Sequence, residues 1–305
     1  MKLPSRIPFM AIRNIAFAVT VVISLIGLGS LFKHGLNFGL DFTGGTLIEL
    51  TYEQPADLEL IKRELGQAGY NDAVVQSFGS TTDVLVRLAG DSPDLGNEVA
   101  SALRKIDDTS FEVKRVEFVG PQVGEELRDQ GGLAMLLALG GILLYLAFRF
   151  QWKFGVGAVG SLAHDIIVTL GILAFFKVPF DLTVLAAVLA MVGYSLNDTI
   201  IIYDRIRENF RMMRKADIIE NIDVSVTQTL LRTIATSLST ALALVALLVF
   251  GGDSLGGFAL TLLIGVVVGT YSSVYISAPV LIWLKLTSED LIPPAVDAEG
   301  VDDRP

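Results

Sequence analysis

A carboxyl group lies inside a segment of the chain that is otherwise apolar enough to cross a lipid bilayer. Asp198, with Asn197 beside it, interrupts the apolar stretch 189–203. A charge at the centre of a membrane helix costs about 2.5–3.5 kcal/mol on insertion scales, and a carboxyl group that is retained there can carry protons. We interpret Asp198 and Asn197 as part of a proton relay. The alternative is a structural carboxyl group that is hydrogen-bonded to a neighbouring helix.

A second polar pair, His164 and Asp165, lies in the middle of another apolar segment. Because the two residues are adjacent, they face different directions on a helix, and at most one of them points at a given partner. Histidine titrates near neutral pH, which suits a proton relay. The alternative is a polar pair that packs two helices together, and the sequence does not decide between these interpretations.

Polar residues recur at intervals of three and four in a third apolar segment, which places them on one face of a helix. They are Thr229, Arg232, Thr233, Thr236 and Thr240. Their hydroxyl groups can line a water path or hold helices together. Arg232 can extend to the lipid headgroups. We favour the interpretation in which Arg232 pairs with Asp198 and holds its charged form.

The composition is that of a membrane protein. Of the 305 residues, 52% are hydrophobic, and the mean hydropathy is +0.58. Apolar runs near the ~20 residues that cross a bilayer occur at 12–32, 133–150, 154–176, 182–203, 230–250 and 255–284. The absence of cysteine excludes disulfides and thiolate chemistry. We expect no enzymatic activity, no cofactor, no metal and no nucleic-acid partner.

Basic residues precede the first run, separate the second run from the third and the fourth from the fifth, and follow the sixth. Such residues in short loops mark the cytoplasmic side of a membrane, so both termini are expected in the cytoplasm. We predict four parts: residues 1–33 with the first helix, an external domain at 34–130, a five-helix bundle at 131–290, and a disordered cytoplasmic tail at 291–305.

The external segment has the pattern of a small α+β domain. Strands are expected at 46–53, 73–78, 83–88 and 111–119, and helices at 56–68 and 93–106. The order βαββαβ is that of the ferredoxin-like fold. The predicted fold class is therefore an α-helical membrane protein with six transmembrane helices and a ferredoxin-like domain between the first two.

Asp41, Gly44 and Gly45 lie where the first apolar run meets the external domain. Glycine allows the chain to turn tightly at this junction. We consider two interpretations of this segment equally: it couples helix movement to the domain, or it is a rigid connector.

Several stretches together carry a family resemblance. They are GLNFGLDFTGGT (35–46), EFVGPQVGEEL (117–127), YLAFRFQWKF (145–154), LAHD (162–165), GYSLNDTIIIYDRIREN (193–209), QTLLRTIATS (228–237), FGG (250–252) and GTYSS (269–273). In this set and order, the chain resembles the SecF family, the smaller membrane subunits of the bacterial SecDF protein-export complexes, within the RND superfamily.

The resemblance implies that six helices form half of an RND-type unit of twelve and that SecD supplies the other half. It implies SecYEG, YajC, unfolded preprotein and membrane lipids as further partners, in a bacterial inner membrane with residues 34–130 in the periplasm. The family uses the proton-motive force to complete preprotein export. Its motifs place roles in proton passage on Asp198 and Arg232.

Three alternative functions remain open at this point. The first is an RND-type half-transporter for lipids or small hydrophobic molecules, which would share the same acid. The second is an intramembrane aspartyl protease that uses Asp165 and Asp198 as a dyad. Tyr203 and Asp204 resemble half of its signature, but the GxGD half is absent. The third is a purely structural subunit that stabilises SecD.

Overall fold

Six long helices dominate the computed structural model, which describes residues 6–78, 80–89, 92, 94–106, 111–213, 216–287 and 290. They are α1 (Arg13–His34), α5 (Pro121–Arg149), α6 (Trp152–Phe175), α7 (Leu182–Met212), α8 (Ile218–Phe250) and α9 (Asp253–Ser272). With the continuation of α9 to Trp283, each is long and apolar enough to cross a membrane, which confirms the six predicted spans. The predicted tail at 291–305 lies outside the described residues.

Several helices extend well beyond the apolar runs that predict them. α5 begins at Pro121 instead of residue 133, and α8 begins at Ile218 instead of residue 230. The runs mark only the part of a helix that matches the apolar core of a bilayer, because polar turns continue the helix outside it. Pro121 occupies the first turn of α5, where proline loses no helical hydrogen bond.

The last span is not a continuous α-helix. α9 passes into a π-helical segment at Ser273–Ser277, and α10 (Ala278–Trp283) completes the span. Pro279, in the first turn of α10, has no backbone N–H to donate, so it cannot bond to the preceding turn. Single π-helical turns inside helices are frequent at functional sites.

A four-stranded antiparallel sheet lies between α1 and α5 in the sequence. Its strands are β2 (Gly45–Tyr52), β3 (Val74–Phe78), β4 (Ser80–Leu88) and β5 (Phe111–Val119), in the order β3-β4-β2-β5. α3 (Leu58–Gln67) and α4 (Leu95–Ile106) supply Ile61, Leu65, Val99 and Leu103 to the core on one sheet face. This order confirms the ferredoxin-like pattern. Residue 93, where a helix start is predicted, lies outside the described residues.

The junction between the sheet domain and the helices is built from short elements. β1 (Asn37–Phe38) pairs in parallel with β6 (Pro179–Phe180), which joins the α6–α7 loop to the chain that follows α1. α2 (Leu40–Thr43) follows, and the ring of its Phe42 stacks on Phe180 with centroids 5.9 Å apart. The chain that leads into the sheet domain thus contacts the residues before α7 as well as following α1.

Asp83 on β4 makes the stability of this domain dependent on pH. The hydroxyls of Thr51 (2.6 Å) and Ser80 (2.8 Å) donate to it, and with the charge of Lys114 they lower its pKa from 3.8. A lowered pKa in the folded state gives stability that is present above pH ~4 and is lost as the pH falls further.

We therefore expect amide protection in β2 and β4 to decrease below pH ~4. Hydrogen exchange, corrected for its intrinsic pH dependence, measures this decrease. The Asp83→Asn variant should show a weaker decrease. Identical pH profiles for the two proteins would contradict the assignment.

Candidate functional site

The carboxyl group of Asp198 is buried in the helix bundle and has no hydrogen-bond partner among the described residues. Its side chain lies on the inner face of α7, with 1% of its surface exposed. Neither carboxyl oxygen accepts a hydrogen bond from any residue in the described part of the chain. A buried carboxyl group without donors is costly, because its desolvation is not compensated by hydrogen bonds.

Arg232 does not form the predicted pair with Asp198. Its charge acts on Asp198, but no ion pair joins the two side chains in the described chain. The reason is helix geometry: Thr233 is the buried residue of this turn, whereas Arg232, about 100° around the helix, is exposed. Asn197 is also exposed, on a different face of α7 from Asp198.

The second buried acid, Asp165, has a full set of partners. Ser195 on α7 and Ser272 on α9 donate to its Oδ2 at 2.5 and 2.9 Å. Nδ1 of His164 lies 3.0 Å from its Oδ1, so these neighbours interact with each other, contrary to the expectation that they face different partners. Nε2 of His164 is buried and has no partner among the described residues.

The two buried acids therefore differ in what they can do. Asp165 contacts polar groups on α6, α7 and α9, and removing it would take away the acceptor of the buried Ser195 hydroxyl. Asp198 would break no hydrogen bond within the described chain on gaining or losing a proton. This contrast favours Asp198 as the exchanging group and Asp165 as a structural centre that joins α6, α7 and α9.

α7 and α9 approach each other closely beside the two acids. A side chain at Gly265 would collide with Met191, and one at Gly269 would lie 2.8 Å from Cβ of Ser195. The Gly265-x-x-x-Gly269 spacing thus serves helix packing, as small residues do in membrane interfaces. At the start of the π-helical segment, Ser273 lies 2.9 Å from the hydroxyl of Thr199.

The predicted hydroxyl stripe on α8 does not form a continuous chain of hydrogen bonds. The hydroxyl of Thr236 donates to the carbonyls of Arg232 and Thr233 in its own helix, both at 3.0 Å. Thr240 is half-buried. Thr233 is buried, and its hydroxyl has no partner in the described part of the chain. Thr236 is therefore satisfied within its own helix, whereas Thr233 has a buried hydroxyl without a partner among the described residues.

The predicted coupling segment connects α7 with the sheet domain. Oδ2 of Asp41 accepts the backbone N–H of Leu182, the first residue of α7, at 2.9 Å. Gly44 and Gly45 follow with φ of 65° and 112°, values that favour glycine. A side chain at Gly124 on α5 would lie 2.7 Å from the backbone nitrogen of Gly44. The segment thus contacts the start of α7, the first turns of α5 and strand β2.

Two further groups of residues escape prediction from the sequence. Ser195 and Ser272 become visible only when α6, α7 and α9 meet at Asp165. Asp223 lies on α8 before its apolar run and binds the N-terminal segment. The signal for Asp223 is weak: Ile218, Ile222 and Val226 recur at helical spacing around it, but nothing in the sequence distinguishes this acid from its neighbour Glu220.

Much of the chain is similar to known protein families. The model described as "Protein export membrane protein SecD/SecF, C-terminal" matches residues 98–287. The "SecD/SecF GG Motif" model matches residues 29–56, which contain Gly44 and Gly45. The first of these matches alone covers more than half of the chain.

Related proteins and structures agree with the family models. The chain is 67% identical to protein translocase subunit SecF of Pseudomonas aeruginosa, covering 98% of each chain. It is 47% identical to SecF of Vibrio alginolyticus, covering 99% of this chain and 97% of that one. The crystal structure of Thermus thermophilus SecDF, a translocon-associated membrane protein, matches with a TM-score of 0.84 and 38% identity.

That match covers 92% of this chain but 39% of the SecDF chain, so this chain spans about two fifths of its length. A SecDF structure in a super-membrane-facing form matches with a TM-score of 0.68 and 38% identity, over 93% of this chain and 40% of that one. Together, the family models, the relatives and the fold identify the protein. The chain belongs to the SecF family of protein translocase subunits.

Proposed function

We propose that this translocase subunit joins a SecD partner and uses the proton-motive force to promote preprotein export. The observation that carries the proposal is the buried carboxyl group of Asp198, which has no hydrogen-bond partner in the described chain. Moving one charge through the membrane potential supplies about 2.3 kcal/mol per 100 mV. That energy can bias the packing of helices only if a group gains and loses charge during the cycle.

In the proposed cycle, Asp198 takes up a proton from the periplasmic side. Its neutralisation removes the attraction to the charge of Arg232, and α7 and α8 shift relative to each other. The shift reaches the sheet domain through the coupling segment of Asp41, Gly44 and Gly45, where Asp41 binds the first turn of α7. Asp198 then releases the proton to the cytoplasm, and its charge is restored.

The SecD half is proposed as an obligate partner because the solved SecDF chains combine a region similar to this chain with a longer remainder. The proposed setting is the bacterial inner membrane, with both termini cytoplasmic and the sheet domain periplasmic. SecYEG, YajC and the unfolded preprotein complete the partners. The edge strand β5 offers one way to bind an extended chain, by strand addition. The proposed cycle transfers only protons and converts no substrate, so we propose no enzymatic activity for the subunit.

Reconstitution tests this proposal. Membrane vesicles that contain the chain, SecD and the SecYEG channel should export preprotein faster when a proton gradient is imposed. Dissipating the gradient should reduce export to the level of vesicles without the chain. Stimulation that persists after the gradient is dissipated would contradict a proton-driven function and leave a structural role.

A further inference from the structure

The N-terminal segment of the chain lies against the first turns of α8. Nε and Nη2 of Arg6 donate to Oδ2 of Asp223 at 3.2 and 3.0 Å. The backbone N–H of Met10 donates to the other oxygen, Oδ1, at 2.9 Å. One turn further along α8, the hydroxyl oxygen of Thr227 accepts the backbone N–H of Ile7 at 2.9 Å. These contacts, between residues 6–10 and residues 220–227, are called the N-terminal clamp below.

The clamp is a buried, charge-assisted contact. Asp223 has 1% of its surface exposed, and Met10 is fully buried. Arg6 is half-exposed and also lies 4.0 Å from Glu220. Hydrogen bonds in which a carboxylate accepts from a guanidinium are about twice as strong as neutral ones. The three donors converge on one buried carboxylate, so the segment before α1 is held firmly to α8.

The same turns of α8 are also joined to the end of α7. Nδ2 of Asn209 donates to the hydroxyl of Ser225 at 2.8 Å and to Oε1 of Gln228 at 2.9 Å. The start of α8 is therefore a junction where α7 meets the chain that leads into α1. Arg232 follows Asp223 by nine residues on α8, or about 13 Å along the helix.

From the clamp, the chain runs directly into α1 and then into the coupling segment. α1 packs on α6 where Gly27 faces Gly171, and a side chain at Gly171 would collide with the backbone of Gly27. Ile167 of α6 also lies against Gly27, so the two helices pack closely at this point, as small residues allow. The clamp and α1 thus form one continuous stretch of chain from the start of α8 to Gly44 and Gly45.

We propose that Asp223 is a positioning residue that couples the movement of α7 and α8 to α1, and through α1 to the sheet domain. This inference rests on the proposed proton-driven function. It assigns Asp223 no part in proton transfer, because the proton is carried at Asp198. Loss of the clamp should therefore reduce export while proton flux continues. Loss of a residue that is needed only for folding would reduce both.

The test combines the substitutions Asp223→Leu and Thr227→Val, which remove the acceptors of the clamp and keep the number and branching of the side-chain heavy atoms. In reconstituted vesicles with SecD and SecYEG, we expect proton flux to remain at the level of the unmodified chain. Preprotein export should fall to its level without a gradient. The variant Asp223→Asn keeps an acceptor for Met10 and should lose only part of the export.

Arg149→Gln is the matched control, because Arg149 on α5 forms an ion pair with Asp204 on α7 at 2.8 Å and makes no contact of the clamp. It should keep both proton flux and export. Full export in the double variant would overturn the proposal, and so would an equal loss of flux and export in Asp223→Asn. An unmodified chain without proton flux would instead refute the proton-driven function itself, so the two failures are distinguishable.

Discussion

Asp198→Asn should abolish proton-driven export while leaving the subunit folded and assembled. Asparagine has nearly the same shape as aspartate but cannot gain or lose a proton near neutral pH. Because neither oxygen of Asp198 accepts a hydrogen bond in the described chain, the substitution breaks none there. Replacing a buried charge by a neutral group of the same shape also removes a desolvation cost. We expect export in vesicles to fall to the level measured without a gradient.

Asp204→Asn is the control for this experiment, since it removes a carboxylate from the same helix. Asp204 is partly exposed and pairs with Arg149, so its loss should change export little. Copurification with SecD measures assembly for both variants. Normal gradient-stimulated export by Asp198→Asn would show that the proton relay is wrong.

Gly45→Ala should destabilise the junction between the helices and the sheet domain by about 4 kcal/mol or more, from backbone strain plus a steric clash. Gly45 has φ of 112°, where a side chain is strained. An added Cβ would also collide with the carbonyl oxygen of Leu88 on β4, and backbone cannot move aside as a flexible side chain can. The measurement is thermal or denaturant unfolding of the purified subunit.

Gly35→Ala provides the comparison that separates strain from collision. Gly35 also has positive φ, at 68°, but a side chain there meets nothing within 4 Å. Its substitution should therefore cost only the conformational strain, about 1–3 kcal/mol. Equal losses of stability in the two variants would contradict this prediction, because they would show that the collision of the added Cβ with Leu88 costs no stability.

The spans and the sheet domain follow from local patterns in the sequence. An apolar run of about 20 residues predicts a membrane helix whatever its neighbours are. Alternation of apolar residues in β2 and β5 likewise predicts strands. Helix ends are different, because the turns that begin α5 at Pro121 and α8 at Ile218 mix polar and apolar residues and form no continuous apolar run.

The site is only partly predictable because it depends on which helices meet. Asp198 can be identified from the sequence alone, because it is an isolated acid in an apolar segment. The partners of Asp165, in contrast, come from helices far away in the sequence. The expected direct contact between Asp198 and Arg232 is wrong. The spacing of the polar residues shows that they share one face of α8, but it does not show whether that face is turned toward α7.

Infrared difference spectroscopy of Asp198 tests the central claim most directly. The carbonyl stretch of a protonated carboxyl group, assigned by its absence in Asp198→Asn, reports whether this side chain is neutral or charged. We expect this band to gain or lose intensity when a proton gradient is imposed on vesicles that export preprotein. A band that stays constant at every membrane potential and pH at which export proceeds would contradict the relay.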